Sequence, residues 1–340
     1  MCVFAASCIQ SHTSNAAEIP SDSVPDANTT PRDSGTSACI SQSAVVESLN
    51  VQNARGVLAA TLQLPASCPP STVVLIVPGS GGTNRDRNSA DGTGPAIYKR
   101  LAEALAARGI GSLRYDKAGV GDSASAFPAT ESDLRFEDGV QDAALWLKPL
   151  RGDARVGRIV LAGHSEGALL ALLVARDFPV DGVISLAGAG RPIDVLLREQ
   201  LARNPANASL LAEADTILKG LKKGEMTATV SQPLLGLFRP SVQPYLIGWL
   251  GYDPAAEAAK WKGPFAIFQG RRDIQVLLAD AEALRAARPD SAYAIFDNMG
   301  HALKEEDGSR ASQQRAYSDP GLPIVSALVD AVVNAAQTAR

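Results

Sequence analysis

Residues 160–175, VLAGHSEGALLALLVA, run from an apolar stretch through a turn containing two glycines into a helical sequence. Read as strand, sharp turn and helix, Gly163-His164-Ser165-Glu166-Gly167 is the G-x-S-x-G form in which a serine sits in a strained backbone conformation with its hydroxyl exposed. Small neighbours let the helix pack close against the strand. A serine that only capped the following helix would account for Ser165, but not for a glycine on each side of it. A strand that feeds such a turn needs parallel neighbours.

The flanking sequence supplies them. From Thr72 onward, the short apolar runs TVVLIVP, IGSLRYD, RIVLAG, GVISLAG, PFAIFQG and SAYAIFD alternate with helical segments: AIYKRLAEALAARG, Leu134–Leu147, the run after Ser165, Val276–Arg288 and Ile324–Gln337. Strands without a polar face, separated by helices, predict a mostly parallel central sheet with helices on both faces, an α/β fold. Val45–Asn50 and Gly56–Leu64, joined by Asn53-Ala54-Arg55-Gly56, read as an antiparallel hairpin leading into it. Residues 191–255 interrupt the rhythm with the helical pieces LLREQLARN and LLAEADTILKGLKKG, a stretch far longer than a crossover needs. They are expected to form an inserted helical cap on a core made of residues 41–190 and 256–340.

A serine hydroxyl becomes a strong nucleophile beside a base, and the chain has 3 histidines. His12 falls in a polar leader, and His164 adjoins the serine, where the turn directs its side chain elsewhere and a structural role is expected. That leaves His301, in the loop after SAYAIFD, at the carboxyl end of a strand where open α/β sheets collect their sites. The carboxylate that orients it is expected after an intervening strand: Asp273, following PFAIFQG. Asp280, inside a helix, and Asp297, at a strand end, are its rivals. The chain order Ser165, Asp273, His301 is that of the α/β-hydrolase triad. Donors for a developing oxyanion are expected from the backbone N–H of Glu166 and of Ser80, the latter in Pro78-Gly79-Ser80-Gly81-Gly82-Thr83. The carboxylate of Glu166 merely suits a helix N-terminus. The glycine loop lacks the Lys-Ser/Thr pair of a phosphate-binding loop.

Taken together, PGSGGTNRDRN, LRYDKAGVGDS, GHSEG, QGRRDIQV and NMGHALK make about residues 45–338 similar to bacterial α/β-hydrolase esterases of the serine-aminopeptidase-like branch. The resemblance implies a carboxylesterase acting on small-molecule acyl esters through an acyl-enzyme, with no metal or organic cofactor, and with the helical insertion as a lid. Pro78-Gly79 departs from the His-Gly of many relatives. In such relatives Arg85 and Asp86 lie near the active-site mouth, and Arg114, Asp116 and Gly121 shape the strand and loop beneath; a buried ion pair explains Arg114 and Asp116 equally well. Leu234–Leu237, Phe238, Tyr245, Trp249 and Tyr252 are candidates for an apolar acyl or alcohol pocket, or for packing of the cap onto the sheet. A serine peptidase acting on short peptides or amino-acid amides would use the same triad; the cap acids Glu213, Asp215 and Glu225 read as solvated helix faces and not as an amine anchor. A non-catalytic binding protein on this scaffold is a third reading, opposed by the complete set of triad residues.

Composition bounds the rest. A net charge of −4 without a stripe of Lys or Arg argues against a nucleic-acid partner. No apolar stretch approaches the roughly 18 to 20 residues of a membrane span. Residues 1–40 read as a flexible leader, since 10–38 are rich in Ser, Thr, Asn, Asp, Ala and Pro. MCVFAASC loosely resembles a truncated export or lipoprotein signal, although it is short and has no basic start. Export to the periplasm or a lipid anchor is favoured over a cytoplasmic location. Cys39 and Cys68 are free to pair if the protein is exported and stay reduced otherwise. None of the 4 cysteines has metal-site or CxxC spacing.

Overall fold

The computed structural model describes residues 43–66, 70–89 and 92–338. The leader, Cys39 and Cys68 lie outside them. Among the described residues eight strands form one sheet: β1 (Val45–Gln52), β2 (Val57–Leu64), β3 (Ser71–Val77), β4 (Gly111–Tyr115), β5 (Val156–His164), β6 (Gly182–Leu186), β7 (Phe265–Gly270) and β8 (Ala292–Phe296). Their order is β1-β2-β4-β3-β5-β6-β7-β8. The β1/β2 and β2/β4 pairs are antiparallel and all others parallel, so the opening hairpin extends one edge of a parallel sheet.

The helices fill the crossovers. α1 (Ile97–Ala106) follows β3, α2 (Phe136–Leu145) and α3 (Leu147–Gly152) follow β4, and α4 (Glu166–Asp177) follows β5. Between β6 and β7 run α5 (Ile193–Ala202), α6 (Leu211–Leu221), α7 (Leu235–Phe238), α8 (Gln243–Leu250) and α9 (Pro254–Lys260). α10 (Leu278–Ala287) links β7 to β8, and α11 (Arg310–Ser318) and α12 (Ser326–Thr338) follow β8. The helix expected over Leu134–Leu147 is α2, and a second short helix, α3, begins where that span ends. Pro149 has no N–H to offer the carbonyl of Leu145, so the α2 ladder cannot run on and the chain re-starts one residue later.

Both faces of the inner strands are dry, which is why β3, β4, β6 and β7 show no polar alternation, whereas the edge strand β1 alternates half-buried and exposed residues. Along β3, Val73, Leu75 and Val77 pack with Phe136, Trp146 and Leu169 on one face. Val74 and Ile76 pack with Tyr98, Leu101, Leu328 and Val332 of α1 and α12 on the other. The helices between β6 and β7 have their own apolar cluster, including Ile193, Leu197, Leu218, Phe238 and Leu246. At about 1.5–3 kcal/mol for each fully buried aliphatic or aromatic side chain, these three clusters are the main stabilising contribution. Register then sets up the site. Val77 lies level with Gly163, and His164 with Leu186, so the loops leaving β3, β5 and β6 emerge side by side. β7 and β8 run parallel to them and deliver their following loops to the same edge.

Candidate active site

Ser165 stands between β5 and α4 with φ 57° and ψ −122°, the left-handed side of backbone space that a residue with a Cβ avoids. The turn is pinned by the Ser165 N–H donating to the Leu186 carbonyl (3.0 Å) and the Ala168 N–H donating to the Ser165 carbonyl (3.1 Å). Helix and strand approach so closely that a Cβ on Gly163 would lie 2.1 Å from the Gly167 carbonyl oxygen, and one on Gly167 2.2 Å from that of Val77. Both glycines of the motif are therefore steric necessities.

His301 and Asp273 meet. Nδ1 of His301 is 2.8 Å from Oδ2 of Asp273, and both residues are buried. The carboxylate is held from other sides: Oδ1 accepts the N–H groups of Gln275 (2.7 Å) and Val276 (2.9 Å), and Oδ2 accepts from Nε2 of Gln269 (3.0 Å). An acceptor at Nδ1 places the proton of a neutral imidazole there and leaves Nε2 as its basic nitrogen. The rivals are engaged elsewhere. Asp280 pairs with Arg191 at 2.8 Å, and the exposed Asp297 with Arg271 at 2.8 Å.

His164, nearest the serine in sequence, is fully buried and built into the framework. Its Nε2 donates to the backbone carbonyl of His301 (2.9 Å), leaving Nδ1 to accept from the Tyr98 hydroxyl (3.1 Å). Tyr98 in turn accepts the N–H of Gly79 (2.9 Å). One chain of hydrogen bonds thus joins the loop after β3, the serine turn and the His301 loop. Burial above all, with the charges of His301 and Arg87, pushes the His164 pKa well below the usual histidine range, so it stays neutral. Tyr98 carries no sequence signal for this role, because it occupies an apolar position at the start of an amphipathic helix and reads as core.

Glu166 opens α4, so its N–H is one of the donors a helix leaves unpaired at its first turn. Its carboxylate does more than suit that terminus. It is buried and lies 3.4 Å from Nζ of Lys117, which also donates to the Gly79 carbonyl at 2.9 Å. Behind the loop after β3, the charged residues cross over: Arg85 pairs with Asp116 (2.5 Å) and Asp122 (2.6 Å), while Arg114 pairs with Asp86 (2.9 Å). Gly121, at φ 53°, leaves room for this cluster, since a Cβ there would lie 2.6 Å from Oδ2 of Asp116.

Ser80, Ser165, Glu166 and His301 line one cavity of about 1410 Å3. Leu237, Tyr245 and Trp249, from the helices between β6 and β7, form another part of its wall. The other aromatic candidates do not reach it: Phe238 is buried in the apolar cluster of α5–α8, and the Tyr252 ring packs against Phe136. Trp249 stacks on Phe136 with ring centroids 5.6 Å apart, which fixes that wall to α2.

A mostly parallel sheet with a serine at the strained turn after its central strand defines an α/β-hydrolase. The chain belongs to the serine aminopeptidase family (S33), whose model matches residues 95–308. Among relatives, it is 28% identical over 253 residues to the esterase EstD of Thermotoga maritima, spanning 73% of this chain and only 58% of that protein. The fold is shared with Est1E from Butyrivibrio proteoclasticus at 16% identity and a TM-score of 0.53, covering 84% of this chain and 96% of that one. It is shared also with an esterase of Pyrococcus furiosus at 15% identity and a TM-score of 0.51, covering 86% and 92%. Among the described residues no helix is long and apolar enough to cross a membrane.

Proposed function

We propose that this protein is a serine carboxylesterase and that Ser165, His301 and Asp273 are its triad. The observation that carries the reading is the buried His301–Asp273 pair at 2.8 Å, on a cavity shared with a serine in a strained, left-handed turn. His301 Nε2 takes the Ser165 proton as Oγ attacks the ester carbonyl, and Asp273 stabilises the imidazolium that forms. The N–H groups of Ser80 and Glu166 hold the oxyanion. Collapse expels the alcohol with the proton from His301 and leaves an acyl-serine; water, activated by the same imidazole, then releases the acid. Residues 191–255 act as a cap whose Leu237, Tyr245 and Trp249 receive the apolar part of the substrate.

A peptidase would need an anchor for an amine, and the cap acids do not supply one. Glu213, Asp215 and Glu225 do not line the cavity; Asp215 pairs with Arg198 and Lys219, and Glu213 accepts the N–H of Ser231. The resemblance to an esterase, EstD, supports the ester reading. The test is hydrolysis of p-nitrophenyl esters from C2 to C12 beside amino-acid p-nitroanilides, in wild type and Ser165→Ala. Wild type is expected to turn over esters, with a loss in the variant of about 10,000-fold or more in kcat/KM. Equal activity in both proteins removes the nucleophile assignment, and anilide turnover without ester turnover favours the peptidase.

A further inference from the structure

The charged groups on the cavity wall are unevenly neutralised. Glu131 pairs with Arg239, Asp138 and Asp142 with Arg55, and Glu166 with Lys117. Arg87, Arg135 and Arg310 line the same cavity, and none of them has a carboxylate within ion-pair distance among the described residues. Arg135 is turned to the backbone carbonyls of Ser132 and Leu134, and of the three only Arg87 has a buried nitrogen without a hydrogen-bond partner. Its charge acts on the buried Tyr98 and His164 and on the partly buried Tyr317. Its Nε is shut off from solvent and has no hydrogen-bond partner. A guanidinium that lines a binding cavity without a carboxylate partner leaves its charge for what binds there to neutralise.

The backbone holds this arginine in place. Arg87 has φ 72°, and its N–H donates to the Asn84 carbonyl (2.9 Å). Asn84 Oδ1 accepts the N–H groups of Asp86 and Asn88, both at 3.0 Å. A non-glycine residue kept at positive φ by such a turn is a constrained position. The planar fork of a guanidinium matches a carboxylate, whereas a phosphate dianion would call on a second cation, and Lys117 is already engaged by Glu166.

We propose that Arg87 is a specificity-determining residue that binds a carboxylate on the substrate, so that the preferred esters are hemiesters or other esters bearing a free carboxylate away from the scissile bond. The proposal rests on the esterase reading above, and the experiment separates the two. In one pair of substrates the carboxylate is on the acyl side: mono-p-nitrophenyl suberate against its neutral methyl ester. In a second pair it is on the alcohol side: 4-acetoxybenzoate against methyl 4-acetoxybenzoate. Wild type is expected to prefer the anionic member of at least one pair by about tenfold or more in kcat/KM. Arg87→Gln erases that ratio through KM, and Arg87→Lys, which keeps the charge but not the fork, retains part of it. Absence of preference in wild type for both pairs overturns the proposal, even with the esterase intact, as does an undiminished ratio in Arg87→Gln. Failure of wild type to hydrolyse any of the four esters overturns the esterase reading itself, and with it this one.

Discussion

The hydroxyl of Tyr98 ties together parts of the site that the proposed triad does not itself connect. It accepts from the Gly79 N–H and faces Nδ1 of His164, whose other nitrogen holds the His301 carbonyl. Tyr98→Phe leaves two buried polar groups without partners, at about 1–3 kcal/mol. Because Gly79 precedes the proposed oxyanion donor Ser80, the change should also blur the geometry felt by the transition state. Thermal denaturation is expected to show a Tm lower by several degrees, and ester kinetics a kcat reduced about tenfold with KM nearly unchanged. A variant with wild-type kcat would show that this hydrogen-bond chain does not position the oxyanion loop. The contrast with Ser165, Asp273 and His301 explains what a sequence reveals at this scale. Those three sit on strand-end loops whose flanking residues mark them, and the scarcity of histidine narrows the choice. Tyr98 and Lys117 act through neighbours distant in the chain, and their residue types alone do not disclose those partners.

Elements were legible where apolar periodicity was strong and lost where it was not. The parallel strands and their helices stand close to the expected segments because each is buried along its length or on one face. α11, with the sequence RASQQRAYS, escaped notice: it buries only Ser312 and Ala316, and begins at a Ser309 cap whose Oγ accepts the Ser312 N–H at 3.1 Å. The segment between β6 and β7 was legible as helical, yet which of its aromatic residues face the cavity was not, because short helices broken at Gln232-Pro233 and Arg239-Pro240 carry no sustained phase. Trp249 is the element-scale test. Its ring lies nearly parallel to Phe136, at 11°, and forms cavity wall. Trp249→Ala deepens the cavity at that wall and removes contacts with short acyl groups. A p-nitrophenyl ester series should therefore lose several-fold in kcat/KM at C2–C4 and shift its optimum by two or more carbons to longer chains. An unshifted optimum would mean that acyl chains do not reach α8.

For the molecule as a whole, the pH dependence of stability carries an unusual contribution from beside the His301–Asp273 pair. Glu306 is buried, its Oε1 has no hydrogen-bond partner, and it packs so tightly on Gly300 that a Cβ there would lie 1.9 Å from it. Burial first, then the Asp273 charge, pushes its pKa up to about 7, with Asp307 adding to the rise and His301 opposing it. The folded state therefore keeps a proton that the unfolded chain sheds near the ordinary value of 4.5. Stability from this group is complete below the unfolded value and is lost as pH rises to about 7, a change on the order of 3 kcal/mol. Asp142, also raised by burial, acts in the same direction, while His164, kept neutral, makes the fold more stable as pH rises through the normal histidine range. Lys304, lowered by burial to about 8, acts only at higher pH, where its release from a buried charge favours the fold. Because these contributions overlap in the wild-type curve, the informative quantity is a difference. Glu306→Gln cannot ionise, so Tm of the variant minus Tm of wild type should increase steadily from pH 4.5 to pH 7 and level off above. A difference that stays flat across that range would mean that Glu306 ionises in the folded protein as readily as in the unfolded chain.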